Sequence, residues 1–285
     1  MGDRNIKQRP LRFFFGHHKG ATTWVRYLVA RLCDLRGDRW AVFDNPGQFG
    51  YDLTATVGQR RLDFVAFTNA EQRFLTDLPA FKGFHIVRDP RDTLVSAYFS
   101  HRESHPTDSW PELAAHREQL RRLSREDGLL AELEFSAGVF AAMEGWDYGQ
   151  PHVLELKFEQ VVAHPFATMT EAFTFLGMLK DETTTAREWA TLALHAATAR
   201  LAGRWGGRLR ALGRFRRVPV EVLLAEVHHR RFAKLAGGRK PGEVDVQSHY
   251  RAGQPGDWRN HFTPKVSAAV QERLGPLCAR LGYTA

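Results

Sequence analysis

Cysteine is scarce in this 285-residue chain: Cys33 and Cys278 alone, at a spacing that fits neither a disulfide framework nor a metal-ligand pattern. A reducing compartment is therefore expected. No apolar run approaches the roughly 20 residues that span a bilayer. The opening Met1-Gly2-Asp3-Arg4-Asn5-Ile6 has neither the apolar core of a secretory leader nor the Ser or Thr that a myristoylation signal requires. The expected address is cytoplasmic. Acid is missing over one long stretch, with none between Glu188 and Glu221. No internal repeat or low-complexity linker divides the chain, so a single domain over 1–285 is expected, long enough for a packed core.

Positive charge is in excess, with a formal net charge of +8 and a sequence pI near 9.8. Such a balance permits binding to nucleic acid, to a membrane surface or to a polyanionic small molecule. Seven of the arginines fall in Arg200–Arg217, interrupted by Gly203, Gly206, Gly207 and Gly213. A solvated face is the favoured reading of such a run. The alternative is a basic flap over about 195–220, closing on an anionic acceptor or touching an acidic membrane surface.

The densest signal lies near the start. Phe13-Phe14-Phe15 reads as a short buried strand ending at Gly16, and Trp24–Leu32 places its apolar positions on one helical face. Between them runs His17-His18-Lys19-Gly20-Ala21-Thr22-Thr23-Trp24. Strand, small-residue turn and helix together aim backbone N–H groups and the positive helix end at one spot, which suits phosphate. Small residues and threonines also open ordinary helices, so a plain cap is the competing reading. The Gly-Lys-Thr of a nucleotide-kinase loop is absent.

Arg39–Phe43, Leu62–Phe67, Gly83–Arg88 and Val153–Phe158 read as further strands, alternating with helices. The fold class expected is α/β: a P-loop-type central parallel sheet flanked by helices in three α/β/α layers. Lys19, Asn69 and Arg88 follow strand ends, where ligands gather in such sheets. After Arg88, Asp92 is the expected N-cap of a helix carrying Ser96. Arg88 there serves either as a bidentate phosphate donor or as a brace paired with Asp92. Trp110–Glu126 and Leu129–Trp146 read as two helices of a substrate-side insertion over about 105–150, Gln160–Leu176 as one helix, and Pro264–Leu281 as a last amphipathic helix. Before that last helix, Gly- and Arg-bearing loop sequence runs from Gly237 to Phe262.

Taken together, these segments resemble the cytosolic-type sulfotransferases, from about residue 11 to the C-terminus. That family's opening loop reads roughly Tyr-Pro-Lys-Ser-Gly-Thr-Thr-Trp, against His17–Trp24 here. Its Arg with a Ser eight residues on is matched by Arg88 and Ser96, and its Arg-Lys-Gly-x-x-Gly-Asp-Trp-Lys by Arg251-Ala252-Gly253-Gln254-Pro255-Gly256-Asp257-Trp258-Arg259. The resemblance implies sulfuryl transfer from 3′-phosphoadenosine 5′-phosphosulfate (PAPS) to a hydroxyl of a small molecule, leaving PAP, with no metal and no nucleic acid partner. It implies that Lys19, Gly20, Ala21, Thr22, Thr23 and Trp24 hold the 5′ end. Arg88, Ser96, Arg251, Ala252 and Gly253 would hold the 3′-phosphate, and Trp24, Phe158 and Phe232 the adenine. Lys19 would follow charge onto the leaving phosphate.

One departure concerns the base. The family's acceptor-activating His lies at a strand end where this chain has Thr68-Asn69. Histidine is the natural replacement near neutral pH. His18 is the first choice and His17 the second, with His101 and His105 behind them; the competing reading is that His17 and His18 only close the loop. The other functions kept open are a PAP- or PAPS-binding homologue without catalysis, a P-loop phosphotransferase, and a basic nucleic-acid or membrane-surface binder. Oligomeric state is open; Pro264 after Thr263 departs from the family's Thr-Val dimer motif.

Overall fold

A computed structural model describes residues 10–108, 110–200, 214–240, 242–243, 245, 251 and 253–283, leaving aside the side chains of 198–200, 232 and 233. Its central feature is strand β1, Leu11–Gly16, buried along its whole length. Strands β2 (Trp40–Phe43), β3 (Phe64–Phe67), β4 (Phe81–Val87) and β5 (Val153–Lys157) join it in the order β2-β3-β1-β4-β5, every pairing parallel. Two short strands, β6 (Leu179–Lys180) and β7 (Val218–Pro219), pair apart from that sheet.

Alternation along the strands explains the layers. Phe14 stacks on Phe84 at 5.1 Å between centroids and shares a core with Phe64, Ala66 and Ile86. Helix α1 (Thr22–Arg36) covers that face with Val25, Leu28 and Leu32. Phe13 and Phe15 point the other way, among Phe43, Phe67 and Trp146. That face is covered in part by α2 (Leu53–Arg60), through Leu53 and Val57. A third apolar cluster joins α3 (Pro90–Phe99), α5 (Arg125–Phe135), α6 (Ala137–Glu144) and the terminal α12 (Pro264–Arg280). This is the α/β arrangement expected, with apolar residues alternating to opposite sheet faces.

Several boundaries differ from the sequence reading. The insertion holds three helices, α4 (Pro111–Arg122), α5 and α6, because Ser124 caps α5 through the Asp127 N–H and Ser136 closes it. The stretch expected as one helix from Gln160 is α7 (Phe158–Ala163) and α8 (Pro165–Phe175), broken at His164 before Pro165. Asp89, not Asp92, caps α3, since Pro90 already occupies its first turn. The Arg-rich run falls mostly outside the described residues. At its described end Arg214, Arg216 and Arg217 are exposed, while Phe215 between them is buried and its N–H donates to Leu35 O at 3.0 Å. Helices α9 (Ala186–Arg200), α10 (Val220–His229) and α11 (Phe232–Leu235) complete the described set. No described helix is long and apolar enough to cross a membrane.

Because the strand order reverses around β1, its carboxyl end faces a crevice between the ends of β3 and β4. Truncating that strand tests the arrangement. Phe14→Ala should cost about 3–5 kcal/mol, read as a lower urea midpoint at unchanged slope.

Candidate active site

The turn after β1 departs from ordinary backbone. Lys19 and Ala21 both adopt left-handed φ, 65° and 62°, with Gly20 between them. Each non-glycine residue held there costs about 1–3 kcal/mol and points to a function. Gly20 closes the turn by donating its N–H to His17 O at 3.0 Å. A Cβ on it would crowd His17 O at 3.1 Å, so the turn itself would have to give, while Ile86 O on β4, at 3.5 Å, would be in ordinary contact. Ala21 is the N-cap of α1 and offers no side-chain cap. The first N–H groups of α1, from Thr22, Thr23 and Trp24, thus open into the crevice without a local acceptor.

Three cations converge on this helix end. The Lys19 ammonium forms no hydrogen bond or ion pair among the described residues, and burial, then Arg88 and Arg251, lowers its pKa to about 8 against an opposing pull from Glu132. Arg88 donates through Nη1 to Lys19 O at 3.2 Å and lies 4.4 Å over the Phe158 ring. Its Nε is buried with no partner. Burial lowers the Arg88 pKa, with Asp92 and Glu159 opposing. Arg251 is ion-paired to Asp257 and lies 4.5 Å over Phe99, while its Nη1 is buried without a partner. Ser96, eight residues past Arg88 on α3, is half-buried. Unpartnered N–H groups on buried cations are costly unless an anion completes them.

Asp92 does something the sequence did not reveal. Its carboxylate accepts from Gly256 N at 2.6 Å and Trp258 N at 3.0 Å, docking the loop that carries Arg251 onto α3. It therefore neither caps α3 nor pairs directly with Arg88. Arg91, bound to Asp89, stacks 4.2 Å over Trp258 on the same loop. Trp24 donates its indole N–H to Arg230 O at 2.8 Å, tying α1 to the end of α10. Ala252 and the side chain of Phe232 lie outside the described residues; Gly253 is half-buried beside Arg251.

The two loop histidines part company. His17 is buried, edge-on to His85 at 5.0 Å and near Trp146, and burial followed by His85 pushes its pKa well down. It is neutral and enclosed. His18 turns toward the insertion, where its Nε2 lies 3.0 Å from Nε2 of His101. His101 sits in a π-helical turn, Ser100–Ser104, that continues α3. Its Nδ1 lies 2.9 Å from Glu132 Oε1, and His116 Nε2 lies 3.0 Å from Glu132 Oε2. Ser136 also donates to Glu132. Burial raises the Glu132 pKa, yet hydrogen bonds from His101, His116 and Ser136 outweigh it and leave it below the ordinary value. His105, its pKa lowered mainly by burial, and Trp110 flank His18 and His101. The sequence offered His101 and His105 as fallbacks but gave no sign of Glu132 or His116, which come from separate helices.

His101, His116 and Glu132 place ligand atoms within 4.8 Å of one another, which raises a metal as an alternative. Zinc bonds of about 2.0–2.2 Å at a tetrahedral angle would hold neighbouring ligand atoms roughly 3.4 Å apart. The separations of 2.9–3.1 Å are hydrogen-bond lengths instead. The cluster is a hydrogen-bonded carboxylate.

Asp92→Ala leaves two loop N–H groups without their acceptor, at a cost of about 1–3 kcal/mol. Faster hydrogen exchange at Gly256 and Trp258, with the β1 amides unchanged, is the expected result.

No protein-family model matches the sequence, and no curated protein matches it. Solved structures do. Mouse sulfotransferase SULT7A1, in complex with PAP, superposes with a TM-score of 0.55 at 16% identity, over 95% of this chain and 85% of that one. Retinol dehydratase, in complex with androsterone and the inactive cofactor PAP, gives a TM-score of 0.50 at 15% identity, over 96% and 83% of the two chains. The chain has the sulfotransferase fold.

Proposed function

We propose that this chain is a PAPS-dependent sulfotransferase acting on a hydroxyl of a small-molecule acceptor. The observation that carries the reading is the convergence of Lys19, Arg88 and Arg251, two of them with unpartnered buried N–H groups, on the uncapped start of α1. A ligand with two separate anionic groups answers all of these donors. PAP, present in both similar structures, is such a ligand.

The residues fit the group. The N–H groups of Gly20–Trp24, the Thr22 and Thr23 hydroxyls and Lys19 would hold the 5′-phosphosulfate. Arg88, Ser96, Arg251 and the Ala252-Gly253 backbone would hold the 3′-phosphate. Trp24, Phe158 and Phe232 would border the adenine, with Phe158 already stacked against Arg88. When bound, PAPS supplies an electrophilic sulfuryl group that leaves its phosphate oxygen as the acceptor oxygen bonds to sulfur. Lys19, following Gly16 and His17 at the end of β1, supplies fixed positive charge where that phosphate becomes more negative. His18 takes the acceptor proton, because His17 is enclosed. A P-loop phosphotransferase fits less well, since Gly-Lys-Thr is missing and Glu132, the carboxylate acting on Lys19 among the described residues, is already bound by two histidines and a serine.

Calorimetric titration with PAP beside ATP at moderate salt checks this. PAP should bind more tightly, and Arg88→Ala should weaken it by about 1.5–3 kcal/mol, some 10- to 100-fold. Preference for ATP, or no binding of either, would sink the reading. A pH series adds a second test. Lys19 is charged below about 8 and neutral above, and a bound anion raises its pKa. PAP affinity should therefore fall as pH rises through 8, with proton uptake on binding at pH 8.5. Lys19→Arg, always charged, should abolish that uptake.

A further inference from the structure

The tautomers in the insertion follow from their partners. Glu132, ionised and fully buried, can only accept, so His101 Nδ1 and His116 Nε2 carry protons. With both imidazoles neutral, His101 Nε2 accepts and the 3.0 Å contact is donated by His18 Nε2. The lone pair of His18 then lies on Nδ1. Hydrogen bonds run in one direction: His18 to His101 to Glu132.

Resting on the sulfotransferase reading, we propose that His18, His101 and Glu132 form a proton relay, with His116 and Ser136 as positioning residues on Glu132, and that it serves an unactivated alcohol. The acceptor proton passes to His18 Nδ1 while the His18 Nε2 proton moves to His101 Nε2. The positive charge comes to rest on His101, against Glu132, and the bond pair of the broken sulfur–oxygen bond stays with the phosphate oxygen of PAP. A phenol, with a pKa of about 10, needs little of this help. An aliphatic hydroxyl, close to water at about 15.7, needs a base that strengthens as it takes the proton. A buried carboxylate one imidazole away provides that, as a buried Asp does for the His of a hydrolase triad.

The setting supports a site for chemistry. Glu132 opposes the lowering of the Lys19 pKa, so the relay lies within electrostatic range of the helix-end cation. Trp110 lies 5.6 Å from both His101 and His105, and stands edge-on to His18 at 6.4 Å. Arg117 donates to His101 O at 2.6 Å and to His105 O, fixing the backbone of the π-turn. Among the described residues, the charged and titratable groups around the relay include Lys19 from the loop, His105 after the π-turn, and His116 and Arg117 from α4; Arg88 and Arg251 act through Lys19.

The test uses the full chain, PAPS and acceptor pairs of similar shape, such as 2-naphthalenemethanol and 2-naphthol. Glu132→Gln should lower kcat/KM for the alcohol by about 100-fold or more, and for the naphthol by under about tenfold. The acid limb of the wild-type pH profile should move to lower pH in Glu132→Gln, because an imidazolium loses its carboxylate partner. His18→Asn should give the same selective loss. Equal losses for both acceptors, an unmoved acid limb, or turnover of phenols alone would each overturn the proposal. Imidazole nitrogen NMR of the unmutated protein tests the relay without a variant. His101 should be protonated at Nδ1 and His18 at Nε2, and the opposite tautomers would overturn it. Failure of PAP binding in the calorimetry is the separate result that would remove the sulfotransferase reading itself.

Discussion

Crowding of like charge is the constraint on which this molecule depends. Lys19, Arg88 and Arg251 are held within range of one another in one crevice, and each carries a cost that folding leaves uncompensated: a lowered Lys19, a buried Arg88 Nε, a buried Arg251 Nη1. The fold meets that cost by rigidity. A fully buried aromatic strand fixes the start of the turn, and the Gly20 N–H closes it on His17 O. Asp92 and Asp257 hold the third cation from the far side of the chain. Such a site is preorganised for anions, because the repulsion is built in before any ligand arrives.

The carboxylates divide the crevice by function. Asp89, Asp92 and Asp257 are consumed in structure, bound to Arg91, to loop N–H groups and to Arg251. Hydrogen bonds from His261, then Asn260 and Arg251, hold Asp257 below its ordinary range. Glu132 is different: its partners are two histidines and a serine, and one of those histidines reaches the loop. One half of the crevice gathers fixed charge. The other half gathers histidines around one buried carboxylate.

Much of the sheet was legible because strand burial leaves a period-two or continuous apolar signature that needs only near neighbours. The resemblance in three ordered segments led to the fold for the same reason, since each segment is a local strand, turn and helix. Where the reading slipped, a competing local signal won. Pro90 moved the cap of α3 back to Asp89, Pro165 split a helix, and Ser124 and Ser136 divided the insertion. The fate of Asp92 was invisible because its partners lie 164 and 166 residues away.

The sequence by itself determined the parallel α/β class and the turn at Lys19, since these follow from residue types a few positions apart. Only the tertiary structure decided which histidine is enclosed and which meets the insertion. His17 and His18 are neighbours in sequence and identical in kind; the reversal of the chain at the turn buries one against Trp146 and sends the other to His101. Glu132 and His116 joined them because α4 and α5 pack beside the π-turn, and no spacing along the chain encodes that contact.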